Sequence, residues 1–219
     1  MTGNENSGLL NEGAARLGII LTWDQVEMFG QYLKELNTWQ AHMNLIRRKN
    51  ERDIILKDFI DSMTIIKYLP LRTILADLGS GAGFPGIPVK IVRPDIKISL
   101  LESTQKKIFF LKNMIRVLGL GGIEVRRAGK RKEQEKEARG EFDLVVSRAF
   151  GPLTRISSAG GPLLKKGGVL LAMKGKRGKE ELAENLPFLE KMGWKKVFVD
   201  QIRLPFLDHE RTLVGLQKK

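Results

Sequence analysis

The sequence predicts an α/β fold: a mostly parallel sheet of seven strands with helices on both faces, an N-terminal helical cap and a terminal antiparallel hairpin. Three observations carry that reading. From Thr73 onward, short aliphatic runs alternate with amphipathic segments of helix length, the pattern of strands joined by crossover helices. A glycine-rich turn follows the first of these strands. The last two strand-like runs have no helix between them, so they must lie antiparallel.

Taken in order, residues 1–20 read as a flexible tail, residues 21–70 as the helical cap and residues 71–219 as the main domain. Thr22 with Gln25 forms a capping-box pattern, and Trp23, Val26, Phe29, Leu33, Leu36, Trp39 and Met43 follow it at helical spacing. A second helix is expected from Asp53 to Tyr68, stopped by Pro70. Strands are expected over 73–78, 97–102, 123–125, 142–147, 168–173, 195–203 and 212–216. Helices are expected through Val89 and Ile91, then over 105–118, 153–164 and 180–192.

Composition excludes several chemistries. The 219 residues contain no cysteine, which removes disulfides, thiolate metal sites and cysteine nucleophiles together. His42 and His209 are the only histidines, so no metal site is expected. No apolar run reaches the roughly 18–20 residues of a membrane span, and residues 1–8 lack the features of a signal peptide. A cytoplasmic protein is the expectation. Lys and Arg total 38 against 25 Asp and Glu, a formal charge of +13. Such a surplus favours a polyanion, because neutralised phosphates release their condensed counterions.

The richest motif runs from Asp77 to Gly86, with glycines at Gly79, Gly81, Gly83 and Gly86. Glycines after a strand let the backbone approach a ligand that any Cβ would repel, and they aim N–H groups at it. Glu102 ends the next strand, where a carboxylate can accept both hydroxyls of a ribose. Together these features describe a nucleoside pocket. The stretch from Gly81 to Gly86 also matches the G-x-G-x-x-G pattern of dinucleotide sites. Pro85 and Pro88 interrupt it where a pyrophosphate-binding helix should start. A nicotinamide-dependent oxidoreductase therefore stays open as an alternative, as does a non-catalytic RNA-binding protein.

From Trp23 to Lys218 the chain resembles the bacterial small-subunit ribosomal RNA guanine-N7 methyltransferases, the glucose-inhibited division protein B family. The resemblance rests on Asn44-Leu45, Asp61-Ser62, the Asp77–Pro88 run, Glu102-Ser103, Lys106-Lys107, Phe110-Leu111, Ser147-Arg148-Ala149-Phe150, Lys174-Gly175 and Glu210-Arg211. It implies a Rossmann-like class I methyltransferase fold and S-adenosyl-L-methionine as cofactor. The implied cofactor residues are Gly79, Gly81, Phe84, the Ala128-Gly129 pair and Arg148, with Glu102 on the ribose and Asp77 toward the methionine end. The implied substrate is 16S ribosomal RNA or the small-subunit particle, and a monomer is expected. The chain departs from the family at Gly129, usually an acid, and at Asp58, usually a histidine.

The acceptor atom follows partly from what is missing. Methylation at pyrimidine C5 commonly needs a cysteine nucleophile, which the chain lacks. Exocyclic amine methylation usually shows Asn or Asp before two prolines and an aromatic, where Ser147 to Phe150 stand here. Guanine N7 already bears a lone pair, so positioning suffices and no general base is required. Arg148 is expected to line the pocket as the catalytic residue, with Phe150 stacked or packed beside it. Lys174 and Lys176 are expected to contact RNA phosphates, with Arg203 and Arg211 as weaker contacts. The segment from Arg126 to Arg139 reads as a flexible insert of mixed charge.

Overall fold

In the computed structural model, which describes residues 3–41, 43–46, 50–128 and 139–218, the strands form one seven-stranded sheet. They are β1 (Ile74–Leu78), β2 (Lys97–Glu102), β3 (Ile123–Arg127), β4 (Phe142–Arg148), β5 (Leu164–Lys174), β6 (Trp194–Arg203) and β7 (Glu210–Lys218). Their order is β3-β2-β1-β4-β5-β7-β6. The first five are parallel, and β7 runs antiparallel to both β5 and β6. The chain builds outward from β1 through β2 to β3, then returns to place β4 on the other side of β1. That reversal opens a crevice beyond the carboxyl ends of β1 and β4, where ligands of such sheets bind.

Among the described residues, four helices pack around the parallel strands: α5 (Gly86–Val92), α6 (Gln105–Val117), α7 (Leu153–Gly160) and α8 (Gly178–Lys191). The cap is α1 (Gly3–Ala15), α2 (Trp23–Gln40) and a broken helix, α3 (Glu51–Ile54), a π-helical turn over Ile55–Ile60, and α4 (Asp61–Met63). The capping box at Thr22 is complete, each partner bonding the other's backbone.

Three expectations change. The supposed tail contains helix α1, which buries Leu10 and Ala14 and donates from Asn6 to Glu51 at 2.6 Å. The second cap helix is not regular; a π-helical turn occupies its middle. The helix expected over 153–164 ends at Gly160, and a 3₁₀ turn leads into β5, which starts at Leu164. Of the expected insert, residues 129–138 lie outside the described residues.

Two apolar clusters cover the two faces. One joins the cap to α5 and α6 through Phe29, Tyr32, Phe59, Phe84, Ile87, Leu100 and Phe110. The other seats α7 and α8 on Val145, Leu170, Ala172 and Trp194. Truncating a ring such as Phe59, 1% exposed, would cost about 3–5 kcal/mol. The cap is therefore part of the same packed body as the crevice, and its aromatic floor lies directly beneath the glycine turn.

Candidate cofactor site

The turn after β1 is held by backbone and by two carboxylates. Gly79 and Ser80 N–H both donate to Leu101 O, at 2.9 and 3.2 Å. Gly79, Gly81 and Gly83 have φ of 75°, 60° and 97°, the left-handed region that side chains resist. At Gly79 a Cβ would lie 2.6 Å from the Phe150 ring, whereas at Gly81 its nearest neighbour would be 3.9 Å away. The turn thus packs on one side and faces open space on the other.

Glu102 joins the ends of β1 and β2. Its Oε2 accepts from Gly81 N–H at 2.9 Å, and its Oε1 accepts from Ser103 and Thr104 N–H at 2.9 and 2.8 Å. Oε1 is thereby saturated, whereas Oε2 keeps one further lone pair. Ala128 sits at the neighbouring strand end, its N–H donating to Glu102 O at 2.9 Å. Gly129, the other half of the expected pair, lies outside the described residues.

Asp77 is fully buried beneath the turn. Its Oδ2 accepts from Gly86 N–H at 2.9 Å, but its Oδ1 has no hydrogen-bond partner. Burial pushes this carboxyl up to about 7, against the opposing pull of the Gly86 N–H and the Arg148 guanidinium. An unsatisfied buried carboxylate oxygen is costly, and it marks a place for a donor that arrives with a ligand.

Phe84 points away from the open side. Its ring lies 5.5 Å from Tyr32, 6.0 Å from Phe59 and 4.9 Å from the Arg148 guanidinium carbon. Tyr32 in turn donates to Ala82 O at 2.5 Å, so the cap braces the turn from below. Any contact Phe84 makes with a cofactor must come from its backbone.

Arg148, expected in the pocket, is turned into the cap. Its guanidinium reaches Asp58 Oδ1 at 2.8 Å, Asp61 Oδ2 at 3.1 Å and Lys57 O at 3.0 Å. Arg211, expected at the RNA surface, grips the same Asp61 with two bonds of 2.6 Å. Asp61 is fully buried and Asp58 nearly so. Burial alone would lower the Arg148 pKa, but the two aspartates raise it, so the arginine stays charged. Asp58 is thus one wall of a cluster in which two buried aspartates meet two partly buried arginines.

The basic residues divide. Lys174 turns inward: its Nζ donates to Gly151 O at 2.8 Å and pairs with Glu181 at 2.8 Å, anchoring the loop after β4 instead of meeting phosphate. Glu181 also accepts from Leu153 N–H at 2.7 Å. Lys176 is exposed. Arg203 is exposed and pairs with Asp208 at 3.0 Å. In that loop Ala149 and Gly151 have positive φ, and Arg155 covers the Phe150 ring at 5.0 Å. Tyr32, Asp58 and Asp61 carried no expected site role; the three-residue spacing of Asp58 and Asp61, one helical turn apart, was the available signal. Among the described residues no cluster of metal-ligating side chains occurs.

The family described as rRNA small subunit methyltransferase G (GidB) matches residues 25–213. The chain is 37% identical over 210 residues to the "Ribosomal RNA small subunit methyltransferase G" of Geotalea uraniireducens, covering 96% of this chain and 95% of that protein. It is 38% identical over 204 residues to the protein of the same name from Lactobacillus acidophilus, covering 89% and 82%. Among solved structures, M. jannaschii TYW2 in complex with AdoMet aligns with a TM-score of 0.59 at 15% identity, over 80% of this chain and 79% of that one. The B. subtilis m1A22 tRNA methyltransferase TrmK aligns at 0.57 with 18% identity, over 73% and 65%. At those identities the structures speak for the fold alone.

Proposed function

The chain belongs to the rRNA small subunit methyltransferase G family, and we propose from that premise which of its residues serve the reaction, S-adenosylmethionine-dependent methylation of guanine N7 in 16S ribosomal RNA. Family membership sets aside the nicotinamide reading left open by the glycine spacing.

The observation that carries the site is the unpartnered, buried Asp77 Oδ1 beneath a turn that is open only at Gly81. S-adenosylmethionine fits these residues. Asp77 Oδ1 would accept from its ammonium group, the free lone pair on Glu102 Oε2 would accept from a ribose hydroxyl, and Ala128 would border the adenine end. When bound, the cofactor supplies an electrophilic methyl group, so the acceptor need only offer a lone pair.

The protein's share is therefore positioning and charge. Gly79 and Gly81 give close approach, and Glu102 fixes the two strand ends. The charge on Arg148 lies under the Phe84 side of the turn and holds the cap in register with it. We assign Arg148 a positioning role, acting through Phe84, Asp58 and Asp61. The loop from Ala149 to Gly151, anchored by Lys174, borders the open side where the guanine must enter. Lys176 and Arg203 remain on the surface as candidate phosphate contacts. A ribosomal RNA substrate supports a cytoplasmic enzyme; no described helix is long and apolar enough to cross a membrane.

Incubation with small-subunit particles and methyl-labelled cofactor tests the reading. Label should appear in 16S RNA as 7-methylguanosine. Label on another atom, or none, would refute it.

A further inference from the structure

The cluster around Asp61 consumes charge at one end of the sheet, which directs attention to cations with no such partner. At the amino-terminal ends of β4 and β5, opposite the crevice, lies a cleft of about 450 Å³ lined by Arg139, Lys165, Lys166, Lys218 and the 3₁₀ turn before β5. Lys165 pairs with Asp143 at 2.7 Å. For Arg139, Lys166 and Lys218 no carboxylate partner occurs among the described residues, and all three are exposed. Three converging cations around one open cleft gain little from neighbours and repel one another, a configuration that an arriving polyanion relieves.

We infer that this cleft is a second RNA-binding site, one that takes backbone phosphates of the ribosomal RNA substrate away from the methylated base. It rests on the reading that the enzyme acts on ribosomal RNA. The cleft is open and offers long, mobile side chains, not converging backbone N–H groups. That suits a phosphodiester backbone bound through counterion release better than a single small phosphate held by directed hydrogen bonds. β5 has 11 residues from Leu164 at the cleft to Lys174 beside the crevice, a separation of roughly 30 Å. About one turn of duplex spans such a distance. Only a large, folded RNA touches both sites at once, so the cleft makes the enzyme select substrate by architecture as well as by the target base.

The test is the triple variant Arg139→Ala, Lys166→Ala, Lys218→Ala beside wild type. Two assays are run over a salt series: methylation of small-subunit particles, and retention of naked 16S RNA. The three side chains are exposed, so folding and cofactor affinity should not change. KM for particles should rise roughly tenfold with kcat retained, and the slope of log affinity against log salt should become shallower by about 2. The charge-conserving variant Arg139→Lys, Lys166→Arg, Lys218→Arg should restore both. Unchanged KM and salt slope, with wild type active, would overturn the second site and leave the function intact. Loss on particles without loss on naked RNA would overturn it in favour of an acidic protein partner. If wild type itself methylated nothing, the functional reading would fail, and RNA retention alone would still decide the cleft.

Discussion

The two ends of the sheet use positive charge in opposite ways. At the carboxyl end, Arg148 and Arg211, both partly buried, pair with the buried Asp58 and Asp61 and tie the cap to β4 and β7. At the amino end, Arg139, Lys166 and Lys218 stand exposed around a cleft. A formal charge of +13 counts both alike. Only the second kind is available to a polyanion; the first is structure, and it positions the site.

Removing Asp61 should break that contrast most sharply. Asp61→Ala leaves two partly buried guanidinium groups short of a partner, and loss of one member of a largely buried ion cluster costs up to about 3–5 kcal/mol. Lys166→Ala, at the other end, should stay within about 0.5 kcal/mol. Urea denaturation of both checks the pair; equal effects would mean that the buried cluster does not hold the cap.

A smaller effect separates Gly79 from Gly81. Both have positive φ, which costs an alanine roughly 1–2 kcal/mol, but Gly79→Ala must also push Phe150 aside. Gly79→Ala should therefore be the less stable variant in thermal melts. Gly81→Ala should keep more of its stability while losing cofactor affinity, because its Cβ enters the open side.

Asp77 sharpens the same comparison through pH. Its carboxyl titrates at about 7 in the fold and near 4 in an unfolded chain. The folded protein therefore holds the extra proton between those values. Without cofactor, its stability should be greatest at or below about pH 4 as far as this group is concerned, and should fall as pH rises through 7. Melts of wild type and Asp77→Asn across pH 4–8 check this; the difference between them should carry the slope. The smallest effect belongs to Lys176→Ala, which should weaken RNA binding slightly and reduce the salt slope by about 1.

Much of the site was legible because its signals are local. The glycines and Glu102 lie within a few dozen residues of one another, and each strand or helix of the alternation is marked by its own local spacing. The buried cluster was not legible, because Arg148 and Arg211 reach Asp61 across 87 and 150 residues. Nothing in the sequence near Lys174 says that Glu181 and Gly151 O will claim it. Helix α1 was missed because Leu10 and Ala14 are its only large or methyl-bearing buried side chains among the described residues, with Gly13 beside them; it is held by tertiary contacts such as Asn6 with Glu51, not by a strong apolar stripe. The π-helical turn was missed because its apolar residues also satisfy ordinary helical spacing.

The cofactor site depends most on the glycine turn and on the unpartnered Asp77 beneath it, whose carboxyl is raised to about 7. Calorimetric titration of the protein with S-adenosylmethionine at pH 7, in two buffers of different ionisation enthalpy, tests it directly. The expected result is uptake of one cofactor per chain with release of a fraction of a proton, and loss of that release in Asp77→Asn. No uptake, or uptake with the same proton count in both proteins, would contradict it.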